Sequence, residues 1–257
     1  MSDVERKTAV VTGASGGIGA ATARALAAAG YHVVVTARRL DRLEALAKEI
    51  GGTARTLDVT DRPAVDAFGA WFAEEFGASS SLSVLVNNAG GAIGTETVAA
   101  GDPEDWRTMY EVNVLGTLHV TQVLMPRLIA SGDGVVVILS SVAGLVPYEG
   151  GGGYVAAKHA EHSMAGTLRL ELLGEPVRVV EIAPGMVQSE GFAVTRFRGD
   201  ETAAAKVYAG VPDPLTSEDV AETVAWAVTR PPHVNIDLLV VRPRAQAAAH
   251  KVLRITE

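Results

Sequence analysis

Tyr154 and Lys158 stand four residues apart, so on a helix they share one face. A tyrosine at its reference pKa of about 10 is a poor base near neutrality. A lysine charge beside it favours tyrosinate. Lowering the phenol by about three units takes roughly 4 kcal/mol of differential stabilisation, which needs a close cation in a partly dry site. The pair reads as an acid/base couple, and the plainer alternative is an exposed helix pair without chemistry. Ser140 and Ser141 close the apolar run upstream, and a hydroxyl there can hold an oxygen on which charge develops.

A second group of residues suits an anion. The turn Thr12-Gly13-Ala14-Ser15-Gly16-Gly17-Ile18-Gly19 lies between an apolar run and an Ala-rich helical stretch. Glycines allow a tight turn and a close backbone approach, and the helix N-terminus offers free N–H groups and partial positive charge to a phosphate. At that place Gly13, Ser15, Gly17, Ile18 and Gly19 are candidate contacts of a dinucleotide. The same residues also fit a Gly-x-Ser-x-Gly nucleophile elbow with Ser15 as nucleophile. The end of the next apolar run discriminates between cofactors. An NAD site needs an acid about 20 residues on for the ribose 2′-hydroxyl, whereas this chain carries Arg38 and Arg39. Guanidinium forks match the 2′-phosphate of NADP, and cations at a helix start are unfavourable without a bound anion.

These groups are placed by short apolar runs alternating with helical stretches. Runs at Thr8–Thr12 and at 31–36, 54–57, 83–86, 135–139, 177–182 and 235–241 read as strands. Helical patterns cover 17–29, 40–50, 63–76, 103–131 (with Pro126 inside), 153–173 and 216–229, the last opened by Thr216-Ser217-Glu218-Asp219. Such alternation implies an α/β fold, a single Rossmann-like doubly wound parallel sheet with helices on both faces, spanning residues 1–257. Ligands bind beyond the carboxyl ends of its strands. Residues 185–215 keep no steady period and read as a substrate lid or loop over 186–215.

Composition narrows the class. Of 257 residues 48% are apolar and 20% charged, with net charge −8 and no basic run, so nucleic acid is not an expected partner. With no cysteine there is no disulfide and no thiol chemistry. The apolar segment following the N-terminal residues is too short for a signal or membrane span, and no later run reaches about 18 residues, which suits a soluble cytoplasmic protein. His159 and His162 lie three apart, but they share the helix of Tyr154 and Lys158, and no metal is expected. Trp71, Trp106 and Trp226 read as core or interface, and the glycines at 150–153 as room for a substrate.

Taken together the motifs resemble the short-chain dehydrogenase/reductase family of small-subunit type. They are Thr12 to Gly19 as Thr-Gly-x-x-x-Gly-x-Gly, Asn87-Asn88-Ala89-Gly90, Tyr154 to Lys158 as Tyr-x-x-x-Lys, and Pro184-Gly185. The family places a serine 13 positions before the tyrosine, which is Ser141 here. Within it the likeness is greatest to NADP-dependent 3-hydroxy acid (serine) dehydrogenases, through Arg38-Arg39, residues 147–151, 196–200 and 233–236. The chain departs from that pattern at Gln188-Ser189-Glu190-Gly191.

The resemblance implies an NADP-dependent oxidoreductase that moves a hydride between nicotinamide and an alcohol or carbonyl. Tyr154 would be the acid/base, Lys158 would lower its pKa and hold the nicotinamide ribose, and Ser141 would polarise the carbonyl. Asn113 would kink its helix and anchor a relay water. Asp58 and Val59 would touch the adenine, and Asn87, Ala89 and Gly90 the adenosine ribose. Pro184, Gly185 and Val187 would pack near the nicotinamide. A homotetramer built on helices near 103–131 and 153–173 is implied as well. The substrate would be a small 3-hydroxy acid such as serine, its carboxylate held by Arg196 or Arg198. Alternatives are a reductase of non-acidic aldehydes or ketones, and an NADP-binding sensor without turnover.

Overall fold

The computed structural model describes residues 7–77 and 82–255. The N-terminal residues 1–6, part of the leader argument above, lie outside the described residues. Seven parallel strands form one sheet in the order β3-β2-β1-β4-β5-β6-β7. They are β1 (Thr8–Thr12), β2 (His32–Ala37), β3 (Thr53–Thr56), β4 (Leu82–Asn87), β5 (Gly134–Leu139), β6 (Val177–Pro184) and β7 (Leu238–Val241). The helices are α1 (Gly17–Ala28), α2 (Leu40–Ile50), α3 (Arg62–Phe76), α4 (Pro103–Tyr110), α5 (Gly116–Ala130), α6 (Gly152–Glu171), α7 (Phe192–Arg196), α8 (Glu201–Lys206) and α9 (Ser217–Val228). This is the doubly wound fold read from the sequence, and the winding reverses between β1 and β4.

Alternation along each strand builds the two layers. Ala9 and Val11 of β1 face the layer containing Leu26 of α1, Leu43 of α2 and Val224 of α9. Val10 faces the other, with Phe72 of α3, Leu124 of α5 and Ala165 of α6. All these side chains are fully buried, and truncating a leucine among them costs about 2–5 kcal/mol. In register, Thr12 lies beside Thr36, Asn87 beside Ile138 and Leu139 beside Ile182, so the tips of β1, β4, β5 and β6 form one rim.

Three readings need correction. The helical stretch 103–131 is broken by one π turn at Glu111–Leu115. There the Asn113 side-chain Nδ2 donates to Met109 O at 2.7 Å, taking the carbonyl that an α-helix gives to the Asn113 backbone, and the ladder slips by one residue. Pro126 stays inside α5 on its exposed face. Residues 185–215 contain two short helices, α7 and α8, too brief to show a period. The last strand begins at Leu238; Asn235 instead uses its side chain, Oδ1 accepting from Val179 N at 3.0 Å. The tail forms a small hairpin of β8 (Gln246–Ala248) and β9 (Lys251–Val252). Thr216 and Asp219 close the capping box expected at the start of α9. Among the described residues no helix is long and apolar enough to cross a membrane.

Candidate active site

The glycine turn and the exit of β4 lock together at the reversal point. Thr12 Oγ1 accepts from Asn88 N and Ala89 N, both at 3.0 Å, and Asn88 Nδ2 donates to Thr12 O at 2.8 Å. Gly13 sits at φ 65° with no space for a side chain, since a Cβ would stand 2.8 Å from Ala89 Cα. Asn88 escaped the sequence reading as a site residue, although it is the clasp of the Asn-Asn-Ala-Gly motif. Asn87 points under the sheet, its Nδ2 donating to Thr121 Oγ1 at 2.9 Å, and its buried Oδ1 has no hydrogen-bond partner among the described residues.

The end of α1 carries no side-chain cap and no acid in its first turn. Gly17 and Ile18 open the helix and Gly19 is buried beneath it. Arg39 reaches across, donating to Ser15 Oγ at 2.8 Å through Nη2 and at 3.2 Å through Nε. Arg42 is nearby, and Arg38 is exposed at the same corner. The acid at this corner is Glu190, paired with Arg42 at 2.6 Å. Uncapped amides beside two forked cations suit a dinucleotide bearing an extra phosphate. A nucleophile needs a base, but the Ser15 hydroxyl receives a cationic donor, which removes the elbow alternative. Asp58 is half-buried and accepts from Thr60 N and Oγ1, and Val59 is buried against Gly116. Ala89 is half-buried at the mouth, while Gly90 faces Asn113 Oδ1 with Lys158 Nζ beyond it.

The rim of β5 and β6 carries the second group. Tyr154 is buried among Ala92, Met109 and Ala143, and the ring of Phe192 from α7 meets its ring at 5.8 Å between centroids. Lys158 lies one turn below, Nζ 5.8 Å from the Tyr154 ring centroid, donating to Leu139 O at 2.9 Å. Within the protein alone, burial holds the Tyr154 phenol above its usual value, outweighing the Lys158 charge and the nearby Ser141 hydroxyl, both of which pull it down. Ser141 caps the 3-10 turn Val142–Gly144, its Oγ accepting from Ala143 N at 3.1 Å. Ser140 is buried, with its Oγ near Gly144 and no hydrogen-bond partner among the described residues. The structure thus brings Ser141, and not Ser140, to Tyr154.

Asn113 is fully buried; besides Met109 O it donates to Gly91 O at 3.0 Å and accepts from Gly91 N at 3.1 Å. Its side chain fastens the loop after β4 to the π turn. Pro184, Gly185 and Val187 follow the tip of β6, and Tyr208 Oη donates to Val187 O at 2.8 Å. Gln246, missed from the sequence, clamps this loop by accepting from Met186 N at 2.8 Å.

Two expectations about substrate contacts change. The glycines at 151–153 are packed against aromatic rings and Gly150 against Thr95 O: a Cβ on Gly151 would meet the Tyr148 ring at 2.5 Å, and one on Gly153 the Trp106 ring at 3.1 Å. Arg196 ties the lid down, donating to Tyr148 Oη at 2.9 Å, Gly150 O at 3.0 Å and Gly94 O at 3.3 Å. Arg198 is neutralised by Asp105 at 2.5 Å, with Glu96 at 3.7 Å. His159 bonds Val155 O and His162 bonds Glu181, so each imidazole has a structural partner.

A sequence model of the family described as short chain dehydrogenase matches residues 7–197. The chain belongs to that family. It is 55% identical over 246 residues to an uncharacterized oxidoreductase of Mycobacterium tuberculosis, covering 96% of this chain and 94% of that one. It is 41% identical to sulfoacetaldehyde reductase of Chromohalobacter salexigens, over 92% of this chain and 94% of the relative. Among solved structures, the closed form of serine dehydrogenase complexed with NADP+ matches with TM-score 0.89 and 36% identity, covering 97% of this chain and 99% of that chain.

Proposed function

We propose that this chain is an NADP-dependent oxidoreductase interconverting an alcohol and a carbonyl. The observation that carries the reading is Tyr154, buried with Lys158 one turn below it and the Ser141 hydroxyl close enough to act on it, on the rim that also holds the uncapped glycine turn and Arg39. NADP supplies the hydride acceptor or donor when bound. Gly13, Ser15, Gly17, Ile18 and Gly19 would receive its phosphates, Arg38 and Arg39 the 2′-phosphate, Asp58 and Val59 the adenine, Asn87, Ala89 and Gly90 the ribose, and Pro184, Gly185 and Val187 the nicotinamide side. Tyr154 takes the proton from the alcohol oxygen, or returns it to the carbonyl oxygen. Lys158 stabilises tyrosinate and holds the second ribose, and Ser141 donates to the oxygen as its charge grows. Asn113 acts through the loop and π turn it fastens, its support of a relay water falling to the main chain it fixes.

The substrate class we propose is small and anionic, as in 3-hydroxy acids. Sulfoacetaldehyde and serine, named in two similar proteins, both carry an anionic group near the reacting carbon. Arg196 is half-buried beside Gly94 and Gly150, which line the Tyr154 cleft, and three neutral acceptors hold it, so its charge is left to attract an anion. The chain is proposed to be one domain over residues 1–257, with 186–215 as the lid, working in the cytoplasm as a homotetramer. Leu170 in the last turn of α6, Leu173 just beyond it, and Leu238 and Val240 on the sheet edge are exposed apolar residues that assembly would cover.

The test is cofactor absorbance with NADP and NAD in parallel, on serine, 3-hydroxypropionate and neutral alcohols, with Tyr154→Phe as control. NADP-dependent turnover of the acids, lost in the control, is expected. Turnover of neutral substrates alone removes the anionic assignment. A preference for NAD removes the role of Arg38 and Arg39, and cofactor binding without any turnover favours the sensor.

A further inference from the structure

Lys158 is 5% exposed, and an ammonium without a counter-ion in such a site is costly enough to give up its proton. The chain supplies that counter-ion on the next turn of the same helix. Glu161 is 1% exposed, and its Oε2 lies 2.6 Å from Lys158 Nζ. Thr117 of α5 donates to the other carboxylate oxygen, Oε1, at 3.3 Å. The ammonium is thus held between Glu161 and Leu139 O. Among the described residues the other titratable groups that act on this pair are Tyr154 on the site side, itself beside Tyr148, and Glu181 of β6 behind. Glu181, 2% exposed, is itself paired at 2.7 Å with the half-exposed His162.

We propose that Glu161 is the counter-ion that keeps Lys158 protonated and aimed, a positioning residue for the Tyr154–Lys158 couple. The inference rests on the acid/base reading of that couple given above. Burial works against the Lys158 ammonium more strongly than any other single influence, yet Glu161, with Tyr154 and Glu181, holds its pKa above the usual lysine value. The same burial pushes the Glu161 carboxyl up to about 7, against the pull of Lys158 and Thr117. The pair is therefore a matched one: each ion is stable in that place only because of the other.

The chain has five lysines, so a 13Cε-lysine NMR titration reads Lys158 directly, its signal assigned by loss in Lys158→Met. In the unaltered protein the Lys158 signal should stay at the ammonium position between about pH 6 and pH 9. In Glu161→Gln, which keeps a hydrogen-bond acceptor and removes the charge, it should titrate within that range, a fall of about two units or more. Glu161→Asp should restore the ammonium. Alcohol oxidation adds a second readout: Glu161→Gln should lose rate on the alkaline side as Lys158 deprotonates and tyrosinate loses its cation, where the unaltered enzyme holds its rate. A Lys158 signal that stays ammonium in Glu161→Gln overturns the proposal. If Glu161→Gln fails to fold, Glu161→Met, which keeps the side chain's bulk without its charge, should bring the Lys158 titration into the same range, and a signal that stays ammonium overturns the proposal equally. The NMR reading does not depend on turnover. If Tyr154→Phe keeps full activity, the acid/base reading fails while the Lys158 titration still decides the role of Glu161.

Discussion

The two halves of the rim are built from different materials. The β1–β4 half is made by backbone: Gly13 at a φ that L side chains avoid, free amides at α1, and loops clasped by Thr12 and Asn88. The β5–β6 half is made by side chains: Tyr154, Lys158 and Ser141, closed over by Phe192 and held by Arg196. A backbone site tolerates few substitutions sterically but performs no proton chemistry. A side-chain site is chemically replaceable atom by atom. Substitutions in the first half should therefore strike binding and stability, and those in the second should strike rate.

The sharpest separation comes from Tyr154→Phe. Loss of the acid/base hydroxyl should lower kcat by about 10²–10⁴-fold with cofactor affinity unchanged, measured by steady-state kinetics beside fluorescence titration of NADPH. A variant that loses affinity as much as rate would erase the distinction between the halves. Gly13→Val is the converse. The strained φ and the contact with Ala89 Cα should destabilise the fold by about 1–3 kcal/mol and abolish cofactor binding together, read from urea unfolding and the same titration.

The same contrast explains what the sequence discloses. Backbone sites leave fixed glycine spacings, so the turn from Thr12 to Gly19 and its strand–helix setting are legible, as is the parallel sheet from its continuous apolar runs. Tyr154 and Lys158 are legible because one helical turn joins them. Glu161 is not: a glutamate three residues after a lysine looks like any solvated helix pair until the packing of α5 and β6 buries it. Gln246 is equally hidden, because its partner Met186 is 60 residues away and the hairpin holding it has no periodic signal. The π turn depends on one side-chain bond from Asn113, and the lid helices α7 and α8 are shorter than two helical repeats.

Arg39→Ala tests the backbone half at its one charged edge. Removing the fork on Ser15 should weaken NADP binding about 10–100-fold and leave NAD binding nearly unchanged, since hydrogen bonds to charged groups are worth about 1.5–3 kcal/mol. Equal losses for both cofactors in parallel titrations would place Arg39 in turn architecture and not in phosphate recognition.

The smallest effects distinguish two lid arginines that look alike in sequence. Arg196 spends its donors on Tyr148 Oη and two carbonyls, so its charge persists near Tyr154. Arg198 faces Asp105 and Glu96 on the exposed surface, so its charge is already answered. Arg196→Lys keeps the charge but not the planar fork, and Arg196→Ala keeps neither. For an anionic substrate KM should rise about 10-fold in Arg196→Ala, close to 1.4 kcal/mol, and less in Arg196→Lys, whereas neutral substrates should show the small change that comes from a looser lid. Arg198→Ala should leave both substrate types within about twofold, because an exposed ion pair contributes little. If Arg196→Ala raises KM equally for anionic and neutral substrates, its part is to latch the lid, and anion recognition has to be sought elsewhere on the side-chain half.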